Sequence, residues 1–175
     1  MRKGFVFSCA GVALLLAGAA RAEDTTPTDP QIAMIAVVAD TVDIDAGKLA
    51  KDKAQDQGVK DFAEMMVRDH TAVNEKATAL VKKLGVTPEE SDTSRKLKED
   101  GDKKREELSK LSGAEFDKAY VDNEVAYHEA VIGVVSKTLI PNTKNPELKK
   151  LLEDAAPIFT AHLEHAKRLQ ASLKK

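Results

Sequence analysis

The fold is decided by residues 59–85, which read VKDFAEMMVRDHTAVNEKATALVKKLG. Apolar residues recur in this stretch every three or four positions, the spacing that places them on one face of an α-helix. Gly85 directly follows the last of them, where a glycine commonly ends a helix. The sequence therefore predicts an amphipathic helix whose apolar stripe faces a core. That stripe consists of Val59, Phe62, Met66, His70, Val73, Ala77, Leu80 and Leu84.

Three further segments carry the same helical spacing. The first helix is predicted to begin at Thr28 or Asp29, because either residue can cap it ahead of Pro30. Its stripe is Ile32, Ile35, Ala39, Val42, Ala46 and Leu49. The other two stripes are Val121, Val125, His128, Ile132, Val135 and Leu139, and Leu148, Leu152, Ala155, Phe159, His162, Ala166, Leu169 and Leu173. Four amphipathic helices of this kind predict a helical bundle.

A long polar connection separates the two predicted helix pairs. Residues 91–111 are mostly charged and predict a solvated helix that is interrupted near Gly101. The whole connection of about 27 residues would span roughly 40 Å as a helix, enough to run back along the bundle. The predicted fold is therefore all-α, a ferritin-like four-helix bundle with one long crossover connection. An up-down-up-down bundle is the alternative if the polar segment folds aside.

The N-terminal segment predicts export. Arg2 and Lys3 precede a small, apolar run, and residues 20–22 form a small-x-small cleavage site. The run is too short to be a good membrane anchor. Cys9 lies inside it, so the mature chain would contain no cysteine and hence no disulfide or thiolate ligand. We expect residues 1–22 to be a signal peptide, 23–28 a disordered leader and 29–175 the bundle domain. The expected location is the periplasm, with the extracellular space second.

Composition restricts the partners of the chain. The 29 acidic residues outnumber the 27 basic ones, and three of the basic residues belong to the predicted signal. A nucleic-acid partner is therefore not expected, because phosphate binding needs a basic face. The chain has no Trp and few aromatic residues, which favours helix over sheet. After signal cleavage we expect no integral membrane segment, and an envelope protein is the expected kind of protein partner.

Three histidines occupy stripe positions that are normally aliphatic. His70, His128 and His162 each lie near the middle of a helix, roughly 20 Å from a bundle end. Helices in a bundle pack 8–10 Å apart, so side chains from three of them can converge at one level. This pattern predicts a metal site inside the bundle. The candidate ligands are His70, His128, His162, Asp45, Glu124, Asp122, Met66 and His165.

The residue types restrict the metal. Histidine with carboxylate and no cysteine suits zinc, iron, manganese or copper(II). Met66 lies one turn before His70 and would instead suit copper(I), although methionine is also a common filler of apolar cores. A metal-free alternative is a buried network in which histidine and carboxylate side chains hydrogen-bond to one another and fix the register of the bundle.

The chain resembles the domain of unknown function 4142 family, a ferritin-like group of bacterial envelope proteins often labelled as outer membrane proteins. The resemblance runs from about Asp29 to Leu169. It rests on Phe62-Ala63, Met66-Val67, Asp69-His70, Asp122, Val125, His128, Pro157, His162-Leu163, Ala166 and Leu169. It implies a ferritin-like bundle and an envelope location, and no established activity. The family pattern includes His70, His128 and His162, whereas His165 is extra. This chain has Asp45 where the family commonly has a first-helix Glu.

Two functional hypotheses follow. The first is a metal-binding protein of the periplasm, for storage, buffering or stress protection. The second is a non-catalytic structural or stress protein of the envelope whose histidines hydrogen-bond without metal. An enzyme is less favoured, because the sequence has no nucleophile elbow, phosphate loop or dinucleotide fingerprint. The paired Glu-x2-His motifs of di-iron proteins are also absent, since Glu124 and His128 are four residues apart.

Overall fold

The structure, a computed structural model, describes residues 26–173. All its secondary-structure elements in that range are helical, so the all-α prediction is confirmed. The predicted signal peptide, 1–22, and leader residues 23–25 lie outside the described residues. The elements are α1 (Asp29–Lys53), α2 (Gln57–Leu84), α3 (Asp92–Ser109), α4 (Gly113–Val134), a π-helix (Val135–Leu139), α5 (Ile140–Asn142) and α6 (Pro146–Leu173).

Thr28 and Gly85 lie at the helix ends that the sequence predicts for them, and Asp56 begins the second helix. Thr28 caps α1, because its hydroxyl accepts a hydrogen bond from the Gln31 amide while its own amide donates to the Gln31 side chain. Asp56 caps α2 by accepting from the Val59 amide at 3.1 Å. Gly85 ends α2 with a φ of 64°, the left-handed conformation that glycine adopts without steric penalty.

The polar connection forms an uninterrupted helix, so the predicted break near Gly101 is wrong. Ser91 caps α3 through a reciprocal pair of hydrogen bonds with Ser94. Gly101 lies inside α3 because the helix approaches α1 closely at this point. A Cβ atom at Gly101 would lie only 2.6 and 2.7 Å from the two methyl carbons of Val42. The glycine therefore permits close helix packing and does not break the helix.

This contact predicts opposite effects for two glycine substitutions. Gly101→Ala should lower stability by about 1 kcal/mol, because overpacking against Val42 exceeds the gain in helix propensity. Gly133→Ala is the matched control, since a Cβ at Gly133 in α4 would meet nothing within 4 Å. That substitution should raise stability by about 0.5–1 kcal/mol. Denaturant unfolding of both variants measures the difference, and equal stabilisation by both would contradict the close packing of α3 on α1.

The helices pack around two apolar clusters, one toward each end of the structure. The lower cluster contains Ala46, Ala50, Ala54, Val59, Phe62, Ala63, Met66, Leu108, Phe116, Tyr120, Val121, Ala166 and Leu169. The upper cluster contains Ile32, Ala33, Ile35, Val73, Val81, Val135, Leu139, Leu148, Leu152, Ala155 and Phe159. Burying these side chains is the main favourable contribution to folding.

The residues that each helix contributes to the lower and upper clusters show in which direction that helix runs. The C-terminal half of α2 lies in the upper cluster, whereas Leu108, near the end of α3, lies in the lower cluster. Helix α3 packs along α1 and therefore returns the chain to the lower end. Consequently α2 and α4 run in the same direction, while α1 and α6 run in the opposite one. Helix α6 packs against both α4 and α2.

Pro141 and Pro157 lie within continuous helical runs, beyond the first turn. Pro141 follows the π-helix, in which the Ile140 amide donates to the Val135 carbonyl five residues back. A proline ring clashes with the carbonyl four residues earlier in a regular α-helix, and we attribute the wider turn to this clash. Helix α6 continues through Pro157, whose ring lies on an exposed face. The proline therefore does not divide α6 into two helices.

Candidate metal centre

Three buried histidines meet between the lower and upper clusters. His70 from α2, His128 from α4 and His162 from α6 are only 3, 1 and 3 % exposed. Their ring centroids are separated by 5.6 Å for His70 and His128, 5.2 Å for His70 and His162, and 5.5 Å for His128 and His162. One nitrogen from each ring lies within 4.8 Å of one from each of the others. The structure therefore brings together the three histidines that the sequence singled out.

Two buried carboxylates complete the cluster. Asp43 of α1 places Oδ2 3.2 Å from Nε2 of His70 and 3.5 Å from Nε2 of His128. Glu124 of α4 lies one turn before His128, with Oε2 3.6 Å from Nδ1 of that ring. Donor atoms of Asp43, Glu124 and His128 also lie within 4.8 Å of one another. We call these five residues, His70, His128, His162, Asp43 and Glu124, the central cluster.

Each histidine ring is held from outside by a hydrogen bond to one of its nitrogens. Nδ1 of His70 donates to Oδ1 of Asp40 at 2.8 Å. Nδ1 of His128 donates to the backbone carbonyl of Glu124 at 3.0 Å, and Nε2 of His162 donates to Oδ2 of Asp69 at 3.1 Å. These bonds fix the orientation of each ring and, in a neutral ring, the tautomer, so that the second nitrogen of neutral His128 and His162 carries a lone pair. Metal-binding histidines are commonly held in this way.

Seven atoms of the central cluster make no well-aligned hydrogen bond to the protein. They are Nε2 of His70, Nε2 of His128, Nδ1 of His162, both carboxylate oxygens of Asp43 and both of Glu124. Buried polar atoms without a partner are rare, because each loses its hydration on folding without replacement. Protons shared among His70, Asp43 and Glu124 can satisfy some of these atoms, and a cation bound between the rings and carboxylates would satisfy the others.

Burial shifts the pKa values in the cluster. Loss of hydration raises the pKa of Asp43 to about 6, and it raises the pKa of Glu124, where the charge of Asp43 adds to the effect. Burial lowers the pKa of His128 to about 3 and that of His162 to about 4, with His70 lowering both further. Both imidazoles are therefore neutral at pH 7, the form that binds a metal ion.

His70 differs from the other two rings. Burial lowers its pKa, but the charges of Asp43 and Asp40 and the hydrogen bond to Asp40 outweigh burial and raise the pKa overall. Of the three imidazoles, only His70 has two carboxylates within 3.2 Å, one on each nitrogen. An ion bound at Nε2 would replace the ring proton in balancing the charge of Asp43.

Aromatic rings fix two of the histidines in place. Phe159 stacks on His70 with a centroid separation of 5.2 Å and an interplanar angle of 3°. Tyr127 meets the ring of His128 edge-on at 6.1 Å, and its hydroxyl donates to the Ala39 carbonyl at 2.8 Å. These contacts restrict ring rotation, so the inner nitrogens are oriented before any ligand binds.

The structure places the other sequence candidates away from the central cluster. Asp45 pairs with Arg105 at 3.1 Å and with Lys48 at 3.6 Å. Asp122 pairs with Lys118 and accepts a hydrogen bond from Gln170 at 2.8 Å.

Met66 and His165 also have other neighbours. Met66 is fully buried in the lower cluster. His165 is partly exposed, and its ring meets Phe62 edge-on at 5.2 Å.

Asp43 was missed because apolarity was used to choose the stripe of α1. The sequence prediction ran through Val42 and Leu49, whereas the buried positions are Asp43, Ala46 and Ala50. The buried face of α1 therefore contains Asp43 and Ala50 where the prediction had their neighbours Val42 and Leu49. The carboxylate of α1 that reaches the cluster is consequently Asp43 and not Asp45. Asp40, one turn earlier on the same buried face, was the available signal, because two acidic residues three apart can point toward one buried histidine.

The described residues define an all-helical protein with a buried histidine and carboxylate cluster at its centre. No helix among residues 26–173 is both long and apolar enough to cross a membrane. The family model named Domain of unknown function (DUF4142) matches residues 15–169, nearly the whole chain. The chain therefore belongs to this family, as the resemblance indicated. No curated protein and no solved structure matches the chain.

Proposed function

We propose that this protein binds a transition-metal ion in the central cluster and serves the bacterial envelope in metal storage, buffering or stress protection. One observation carries the proposal: every outer ring nitrogen is hydrogen-bonded, while the inner nitrogens and the carboxylates converge within 4.8 Å in overlapping groups and make no well-aligned hydrogen bond. A cation would satisfy these atoms together and compensate the buried negative charge.

The donor set favours particular ions. Three imidazole nitrogens with one or two carboxylates and no thiolate suit zinc, iron(II), manganese(II) or copper(II). Copper(I) is less favoured, because Met66 packs in the lower cluster among apolar side chains. The ligands we propose are His70, His128, His162 and Asp43, with Glu124 as a further ligand or as an outer hydrogen-bond partner.

We also propose a ferritin-like arrangement for the fold and export for the location. Helices α2 and α4 run in the same direction, and α3 connects the C-terminal end of α2 to the N-terminal end of α4. This topology supports one long crossover connection. Export rests on the sequence of residues 1–22. A periplasmic location would expose the site to envelope metal ions and would explain a donor set without cysteine.

Metal analysis of protein purified from the periplasm of producing bacteria tests the proposed function. We expect about one transition-metal ion per chain in the wild type, because the two overlapping groups of donor atoms share His128. His162→Ala should lose the ion, whereas His165→Ala, one turn further along α6, should retain it. The second hypothesis, a hydrogen-bonded network without metal, predicts substoichiometric metal in all three proteins, and that result would refute the metal-binding function.

Metal binding should weaken in acid. Asp43 must be ionised to bind a cation, and burial raises the pKa of its carboxyl to about 6. Below that pH protons compete with the metal, so the affinity should fall at least about tenfold between pH 7 and pH 5. His128 and His162, with pKa values of about 3 and 4, stay neutral over this range, whereas His70, whose pKa is raised, also takes up a proton and adds to the fall. Competition titrations against a chromophoric chelator measure the change, and an affinity that does not vary with pH would exclude both Asp43 and His70 as ligands.

A further inference from the structure

A large apolar cavity lies beside the central cluster. Its volume is about 340 Å³, and it is enclosed mainly by α1, α3, α4 and α6. Aliphatic and aromatic side chains form most of its wall, among them Ile35, Val73, Val131, Leu139, Leu152 and Phe159. Apolar cavities of this kind hold water poorly and accept apolar molecules, and an engineered cavity of 150 Å³ binds benzene.

The cavity is separate from the proposed metal ligands. Among the described residues that line it, none belongs to the central cluster. Two of its lining residues nevertheless contact His70 from the outer side. Asp40 accepts the hydrogen bond from that ring, and Phe159 stacks on it. A molecule in the cavity would therefore lie against the outer supports of His70 and leave the inner nitrogens free.

The charged residues around the cavity are already paired. Asp100 pairs with Lys96 at 2.9 Å, and Lys104 pairs with Glu107 at 2.6 Å. Arg105 is held by two carboxylates, one of which is Asp45 at 3.1 Å.

Asp40 pairs with His70, and the Tyr127 hydroxyl donates to a backbone carbonyl. The lining therefore offers no uncompensated charge to a ligand, and an ionic molecule would lose its hydration on entry without a matching partner.

We propose that this cavity binds a neutral apolar small molecule, a hydrocarbon chain or fused ring system of about ten to fifteen carbon atoms. The volume sets the size of the ligand, and the aliphatic lining and paired charges set its polarity. Val134, in the lining, provides an apolar point of entry. It is the one large hydrophobic side chain that is markedly exposed in the described part of the chain, at 38 %.

Fluorescence titration of the full protein with N-phenyl-1-naphthylamine, a neutral apolar probe, tests this proposal. We expect saturable binding of one probe per chain, because a cavity of about 340 Å³ holds one molecule of this size. Decanol should displace the probe, whereas decanoate should be at least tenfold weaker, since its charge finds no partner in the lining. Absence of saturable binding, or equal displacement by decanoate, would overturn the proposal.

Two substitutions locate the bound probe. Ala36→Phe fills part of the cavity, and Val134→Asp places a charge at its entry. Each should weaken probe binding at least tenfold. The matched controls are Ala79→Phe and Ala126→Asp, which alter exposed positions outside the lining. If Ala36→Phe does not fold, Val134→Asp and its control on the same helix decide the outcome.

The same variants separate this proposal from metal binding. Val134→Asp should retain the metal content of the wild type, because Val134 lies outside the central cluster. Loss of probe binding with unchanged metal supports a distinct apolar site. Probe binding that is unaffected by Val134→Asp and Ala36→Phe would place the probe elsewhere and refute the assignment of this cavity.

Discussion

Asp43→Asn should weaken metal binding at least about 100-fold, the largest effect of any single conservative substitution that the central cluster predicts. Asparagine has nearly the same shape as aspartate, but it removes the negative charge that lies 3.2 Å from His70 and 3.5 Å from His128. The three rings keep their outer hydrogen bonds in this variant, so the loss reports on the ligand charge. Isothermal titration with zinc at pH 7.5 measures the affinity.

Asp45→Asn is the matched control, because Asp45 lies two residues further along α1 and pairs with Arg105 at 3.1 Å. It should bind zinc as the wild type does and lose at most about 1 kcal/mol of stability, as expected for an exposed ion pair. Equal losses of affinity in both variants would mean that the charge of α1 acts at long range, and that Asp43 is not a ligand.

The metal-free Asp43→Asn protein should be more stable than the metal-free wild type. Burial raises the folded-state pKa of Asp43 to about 6, above its ordinary value of 3.8. An acid whose folded pKa is raised stabilises the fold in acid, and that contribution disappears as pH rises from about 4 to about 6. At pH 7.5 the ionised carboxylate therefore costs stability, and its removal should restore about 1–3 kcal/mol. A substitution that weakens binding but stabilises the unliganded protein is typical of a binding site.

Bound metal should raise the stability of the wild type by about 4 kcal/mol when the free ion is present at a thousand times its Kd. For a chain of this size that corresponds to an increase in melting temperature of about 8–16 °C. The physical reason is that an ion bound to residues from α1, α2, α4 and α6 stabilises only the folded state. Calorimetry with and without zinc, followed by chelator, measures the shift and its reversal.

Two histidine variants provide the control for this stabilisation. His128→Ala removes one inner nitrogen and should lose most of the metal-dependent increase. His165→Ala should keep it, because that ring contacts Phe62 in the lower cluster. The same small shift in all three proteins would indicate weak surface binding, since exposed carboxylates and His165 could produce it without the central cluster.

The helices could be predicted from the sequence because local signals and tertiary packing agree. Thr28 can begin a helix and Gly85 can end one by their own chemistry, and the structure uses both. Gly101 was misread because its role depends on another helix. Its low helix propensity suggested a break, whereas the proximity of Val42 requires the absence of a side chain.

The candidate site could be predicted in part for a related reason. A histidine among aliphatic residues stands out in any stripe, which is how His70, His128 and His162 were found. Asp40 and Asp43 could not be chosen from the sequence, because Val42 and Leu49 give α1 a more apolar stripe. The face that is actually buried lies one residue further along the helix, at Asp40 and Asp43. Asp69 could not be assigned to His162 at all, since the two residues are 93 positions apart and meet only through the packing of α2 and α6.

Anomalous diffraction at the absorption edge of the bound metal, from crystals of the natively loaded protein, tests the central claim most directly. We expect one strong peak at about 2.0–2.2 Å from Nε2 of His70, Nε2 of His128, Nδ1 of His162 and a carboxylate oxygen of Asp43. A central cluster that contains only water, or a peak at His165 or another surface residue, would contradict the account.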